Sequence, residues 1–232
     1  MTPWSRNRSG GAPPESQRRQ DMQADELIER ARALATSGTR RILGIAGAPG
    51  AGKSTLAALV TARLGGQAVQ VPMDGLHLAD VELTRLGRHD WKGAPDTFDS
   101  FGYLALLRRL RAPAPGELVY APAFERTIEQ PVAGSIPVGP SVPLVVTEGN
   151  YLLLDDPPWH EIRNLVDETW FVEIDDAVRV ERLIRRHIEF GKTPAQAAAW
   201  VQRLDEQNAR LVAATRDRAD VIVRGDVPGT AL

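Results

Sequence analysis

A three-layer α/β domain with a mainly parallel central sheet is the fold class this sequence predicts, on three observations. Short apolar segments of strand type alternate with helical stretches along the chain, and such alternation implies parallel crossovers. Most of the strand segments are apolar throughout, as in a sheet covered on both faces. Between one such strand and a helix, Gly47-Ala48-Pro49-Gly50-Ala51-Gly52-Lys53-Ser54 fits G-x-x-x-x-G-K-[ST] at every fixed position.

Taken in order, residues 1–20 carry Arg6, Arg8, Gly10, Gly11, Pro13, Pro14, Arg18 and Arg19 and almost nothing apolar. They cannot offset the entropy lost on ordering and read as a flexible tail. From Asp21, a candidate N-cap, Leu27, Ala31 and Leu34 fall at i, i+4 and i+7 and predict an amphipathic helix that stops at Gly38. Arg41–Ala46 is an apolar strand, and Thr55–Leu64 is a helix former closed by Gly65-Gly66. Ala68–Pro72, Leu144–Thr147, Trp170–Ile174 and Ala219–Val223 read as further strands, with helical stretches at 99–110, 176–190 and 194–214. The proline-rich region Pro113–Pro143 reads as extended segments and turns outside the main sheet. Residues 21–232 thus form one domain in this reading.

The composition bounds the function classes. At 232 residues, 43% hydrophobic and 25% charged, the chain can bury a sizeable core. A formal charge of −2 gives no sign of a nucleic-acid or membrane partner. No apolar run approaches the roughly 18 to 20 residues of a membrane span, and there are no cysteines. The expectation is a cytoplasmic protein with a small-molecule substrate, no nucleic acid and no membrane partner; the composition leaves a homo-oligomer open.

The glycine loop supplies the first chemistry. It lets consecutive backbone N–H groups turn toward a phosphate, where the positive end of the following helix dipole adds its field. The backbone of Gly47, Ala48, Pro49, Gly50, Ala51, Gly52 and Thr55 then cradles a nucleoside triphosphate, Lys53 reaches its β- and γ-phosphates, and the Ser54 hydroxyl binds Mg²⁺. A GTPase would need Asn-Lys-x-Asp, and none of the four asparagines is followed by lysine.

Other polar residues stand where an acceptor would bind. Asp74 follows the second strand, and ligands of open α/β sheets sit at the carboxyl ends of strands; it is suited to accept a hydroxyl proton. His77 lies close by. Glu148, acidic after an apolar strand with Asn150 just beyond, is Walker-B-like and faces the phosphates beside Mg²⁺. Arg179, Arg182 and Arg186 share one helix face at i, i+3 and i+7. Guanidinium groups so arranged suit a lid of about 175–193 that closes over a transferring phosphoryl group.

Together these residues resemble a known family. The glycine loop, Met73-Asp74-Gly75, Pro95-Asp96-Thr97-Phe98-Asp99, Val119-Tyr120, Glu148-Gly149, the arginine helix and Ala219-Asp220-Val221-Ile222 look like the phosphoribulokinase/uridine kinase/pantothenate kinase family. Lys92–Asp99 and Val146–Tyr151 are most similar to its bacterial nucleoside/nucleotide kinase branch. The resemblance implies the P-loop NTPase fold, with an acceptor-side insertion at about 75–140. It implies Asp74 as base, Asp96 as a ribose-hydroxyl ligand, Tyr120 as a wall of the acceptor pocket, Glu148 as the Mg²⁺-associated acid and Arg179, Arg182 and Arg186 as lid arginines. Glu125 stands near the place of the histidine that reads the base in uridine kinases.

The sequence therefore predicts an ATP- and Mg²⁺-dependent phosphotransferase acting on a hydroxyl of a small metabolite. A nucleoside is the first candidate, with pantothenate or a sugar next. Lys53 and Arg182 steady the γ-phosphoryl group, and Ser54 with Glu148 manages Mg²⁺. A nucleoside monophosphate would need a cation such as Arg126, or the Arg85/Arg88 pair, for its phosphate. The rival from another class is a regulatory P-loop ATPase without a small acceptor.

Overall fold

The computed structural model describes residues 15–225. Along the chain the elements are α1 (Glu15–Ala35), β1 (Arg41–Gly47), α2 (Lys53–Leu64), β2 (Ala68–Pro72), α3 (Asp80–Arg85), α4 (Ser100–Arg111), β3 (Val119–Glu125) and β4 (Gln130–Val138). They continue with β5 (Leu144–Gly149), α5 (Trp159–Arg163), β6 (Glu168–Glu173), α6 (Asp176–Glu189), α7 (Pro194–Trp200), α8 (Glu206–Ala213) and β7 (Val221–Arg224).

The main sheet is parallel, in the order β2-β5-β1-β6-β7, and β3 with β4 forms a separate antiparallel hairpin. Successive residues of the central strands point to opposite layers. Val145 and Phe171 join Tyr103, Leu107, Trp159 and Ile162 of α4 and α5 on one face. Val146, Trp170 and Val172 join Leu27 and Ala31 of α1 and Leu56 and Val60 of α2 on the other. This is the three-layer α/β arrangement expected from the apolar strands.

Register decides where the site can form. Ala46 of β1 lies opposite Gly149 of β5, and Pro72 of β2 lies opposite Glu148. The carboxyl ends of β1, β2 and β5 are therefore level, and the segments after them meet beside the central strand, where the chain leaves to opposite sides of the sheet.

Two readings are corrected. The first helix begins at Glu15 rather than Asp21, because Glu15, Gln17, Arg18, Arg19 and Gln20 are good helix formers that extend a helix already anchored at Leu27 and Ala31. The rest of the expected tail, residues 1–14, lies outside the described residues. The helix expected over 194–214 is divided by a π-helical turn at Val201–Asp205. The Asp99 carboxylate caps α4 by accepting from the Gly102 N–H at 2.8 Å. Among the described residues, no helix is long and apolar enough to cross a membrane.

Candidate active site

The donor half is the loop between β1 and α2. Gly50 and Gly52 adopt φ of 79° and 96°, left-handed values that suit glycine and turn the loop around the helix start. Lys53 is 8% exposed. Its ammonium donates to the Ala48 carbonyl at 3.0 Å and to Asn150 Oδ1 at 2.7 Å. Ser54 Oγ donates to Glu148 Oε1 at 2.9 Å. Burial and the neighbouring Asp74 carboxylate push the Glu148 carboxyl above the usual range, while Lys53 and Ser54 oppose the shift. Helix α6 lies directly over the loop: a Cβ on Gly50 would come within 2.8 Å of Leu183 Cγ.

The same geometry tests whether Mg²⁺ fits. Among the described residues, no group of three His, Cys, Asp or Glu side chains is arranged to hold a metal. A hydroxyl and a carboxylate in contact are nevertheless the oxygen donors Mg²⁺ takes from protein when phosphates and water complete its shell. Ser54 and Glu148 therefore fit the ion.

Burial pulls the Lys53 pKa down from 10.5 to about 8, with Glu148 and Asp74 opposing the shift and Arg186 and Arg126 adding to it. The folded chain thus binds fewer protons than the unfolded chain between about pH 8 and 10.5, so this group's contribution to stability increases with pH across that window. ATP binding has the opposite slope, because a triphosphate favours the ammonium. Calorimetric titration should show ATP affinity level below about pH 8 and decreasing above it, and Lys53→Met should flatten the profile.

The side of the cavity facing the loop is built around the 3₁₀ turn Met73–Leu76 that follows β2. Asp74 lines a cavity of about 370 Å³ together with Lys53, Ser54, Glu148 and Asn150. His77 Nδ1 bonds the Asp74 carbonyl at 2.8 Å. A carbonyl only accepts, so Nδ1 carries the hydrogen and, in the neutral ring, Nε2 is an acceptor; burial lowers the His77 pKa and favours that neutral form. The ring sits 4.0 Å from Phe98 and 4.9 Å from Phe124, centroid to centroid. Gly75 lies under the hairpin, where a Cβ would overlap the Pro122 carbonyl. Gly75→Ala should therefore lift the hairpin and cost about 1–3 kcal/mol, read as a lowered unfolding midpoint in denaturant.

Several expected partners are not brought into this cavity. Asp96 is exposed and pairs with Arg88 at 2.7 Å. Tyr120 is 53% exposed, opposite Pro137 in the hairpin. Arg179 is buried on the inner side of α6, where it pairs with Glu206 and with Asp176 at 2.9 Å. Arg182 is half-buried and does not line the cavity. Of the three lid arginines only Arg186 lines it; burial and the nearby Arg126 lower its pKa. Of the set expected on this helix, the structure brings Arg186 to the cavity and not Arg179 or Arg182. The inward line of α6 runs through Arg179, Leu183 and Arg186, at i, i+4 and i+7, and leaves Arg182 on the flank.

Sequence reasoning missed Phe98, Phe124, Lys92 and Asn208, all of which line the cavity. Phe98 and Lys92 stood within the Lys92–Asp99 segment already singled out, and their signal was available. Asn208 donates to the Gly93 carbonyl at 3.1 Å from beyond the π-helical turn, a placement with no local signature. Glu125 accepts from the Thr127 N–H at 3.0 Å and does not line the cavity.

A glycine loop at the central strand, a lysine and serine at the helix start and an acid at the end of the adjacent strand define a P-loop kinase. The chain belongs to the phosphoribulokinase/uridine kinase family, which matches residues 42–228. A protein of Schizosaccharomyces pombe provisionally named a uridine kinase is 34% identical over 86% of this chain and 89% of its own length. The uncharacterised YggC of Escherichia coli is 34% identical over 79% of this chain and 77% of its own. A crystal structure from Silicibacter, provisionally named a fructose transport system kinase, superposes with a TM-score of 0.77 at 35% identity, covering 88% of this chain and 98% of that one.

Proposed function

We propose that the chain transfers the terminal phosphoryl group of ATP to a hydroxyl of a small metabolite, with a nucleoside as the first acceptor class. The observation that carries this reading is Asp74 in one cavity with Lys53, Ser54 and Glu148. Asp74 takes the acceptor proton. Lys53 and Arg186 hold the oxygens of the phosphoryl group, and Asn150 orients the Lys53 ammonium through its 2.7 Å bond. Ser54 and Glu148 would hold Mg²⁺, which supplies charge neutralisation on the phosphates. Aromatic walls at Phe98 and Phe124 suit the face of a base or of a sugar.

The nucleoside class rests on the family and on the name of the fission-yeast relative. A sugar is the second reading, supported by the name of the Silicibacter structure; pantothenate and a nucleoside monophosphate complete the set. A coupled ADP-release screen across nucleosides, their monophosphates, sugars and pantothenate tests it. Turnover with one of these classes, dependent on Mg²⁺ and lost on chelation, is the expected result. ATP hydrolysis that ignores every metabolite and responds only to a protein partner would sink the reading in favour of a regulatory ATPase.

A further inference from the structure

The hairpin carries a cation that the donor chemistry leaves unused. Arg126 directly follows β3, and its guanidinium lies 3.6 Å from the Asp74 carboxylate and 5.9 Å from the centre of the Phe124 ring. The hairpin is fixed to the loop that carries Asp74: the Pro122 backbone closes over Gly75, and Phe124 packs on His77. Arg126 is therefore placed by the same turn that places the base. Its charge is felt across the cavity, where it lowers the pKa of both Lys53 and Arg186. Two other acids of the cavity wall are already engaged, Asp80 by Lys92 at 2.6 Å and Asp205 by His187 at 2.9 Å. Lys53, Arg186 and Arg126 thus reach one cavity from three parts of the chain and repel one another there, beside the acids Asp74 and Glu148, and an anion between the three relieves that repulsion.

Lys53 and Arg186 belong to the donor side, and Arg126 stands beside the acceptor base. As the phosphoryl group moves from ADP toward the acceptor oxygen, its charge leaves the first pair and approaches the third cation. A contact that strengthens on that path lowers the barrier, whereas one equal at both ends does not.

We propose that Arg126 is a catalytic residue that turns from Asp74 to the oxygens of the phosphoryl group as that group leaves ADP, and holds them in transit. In that step the bond from acceptor oxygen to phosphorus forms as the bond from phosphorus to the β,γ-bridging oxygen breaks. The electron pair leaves on ADP, and the hydroxyl proton passes to Asp74. The assignment rests on the phosphotransferase reading above.

It is tested without knowing the acceptor, by measuring the affinity of Mg²⁺–ADP with and without aluminium fluoride, a mimic of the phosphoryl group in transit. In the wild-type chain fluoride should tighten ADP binding. Arg126→Ala should lose about 10²-fold of that gain while binding of ADP alone stays within about threefold. Arg126→Lys, which keeps the charge but not the planar fork, should fall between them. An undiminished gain in Arg126→Ala overturns the assignment. So does an equal loss of affinity for ADP alone, which marks a ground-state or structural role. A wild-type chain with no fluoride gain overturns the phosphotransferase reading itself, and the role of Arg126 with it.

Discussion

Asp74→Asn is expected to lower turnover by about 10²–10⁴-fold, the range for loss of a general base, with ATP affinity kept within about threefold. The amide preserves the shape of the side chain and removes both its charge and its ability to take a proton. It leaves the donor contacts intact, since Lys53 bonds Ala48 and Asn150 rather than Asp74. It also removes the counter-charge 3.6 Å from Arg126, so any change in ATP affinity should be a modest tightening as an anionic ligand gains from the exposed cation. Turnover on the acceptor found in the screen, with ATP binding followed by calorimetry, decides it. Activity within threefold of wild type would remove Asp74 from the chemistry.

Lys53→Met should separate stability from function. Holding the ammonium in this site lowers its pKa from 10.5 to about 8, which at 1.36 kcal/mol per unit is on the order of 3 kcal/mol against folding at neutral pH. Methionine has similar reach and no charge to desolvate. It leaves the Ala48 carbonyl and Asn150 Oδ1 without their donor, a loss of roughly 1 kcal/mol each. The ligand-free variant should therefore melt no lower than wild type and up to a few degrees higher, while ATP raises its melting temperature much less than that of wild type. A variant that melts well below wild type would show that the lysine is a structural member of the loop.

The donor half was legible because its signal is local. Gly47–Ser54 is contiguous, its glycines are required by the backbone path, and the flanking apolar run and helix former are the elements that position it. Glu148 was legible for a similar reason, as an acid ending an apolar strand. The arginine helix was only half legible. Spacing put Arg179, Arg182 and Arg186 on one face, yet they meet three environments: Arg179 is buried with Glu206, Arg182 lies on the flank and Arg186 lines the cavity. Periodicity gives a face but not the line along which that face touches its neighbour.

The acceptor side was legible least. Asp96 and Tyr120 carry the types and order of a binding set, but Arg88 engages the first and the outer face of the hairpin holds the second. Phe98, Phe124, Lys92 and Asn208 converge instead from the turn before α4, the hairpin, the segment just after the 3₁₀ turn His89–Trp91, and α8.

The amino-acid order alone settled the layers of the sheet, the phosphate loop and the position of Asp74 after the second strand, because strand burial, glycine backbone freedom and strand-end position are short-range properties. Folding in three dimensions chose which arginine enters the site, which aromatic rings wall it and that Arg126 pairs with Asp74. Those contacts join segments far apart in sequence, and only the packing of the hairpin, α6 and α8 against the sheet brings them within reach.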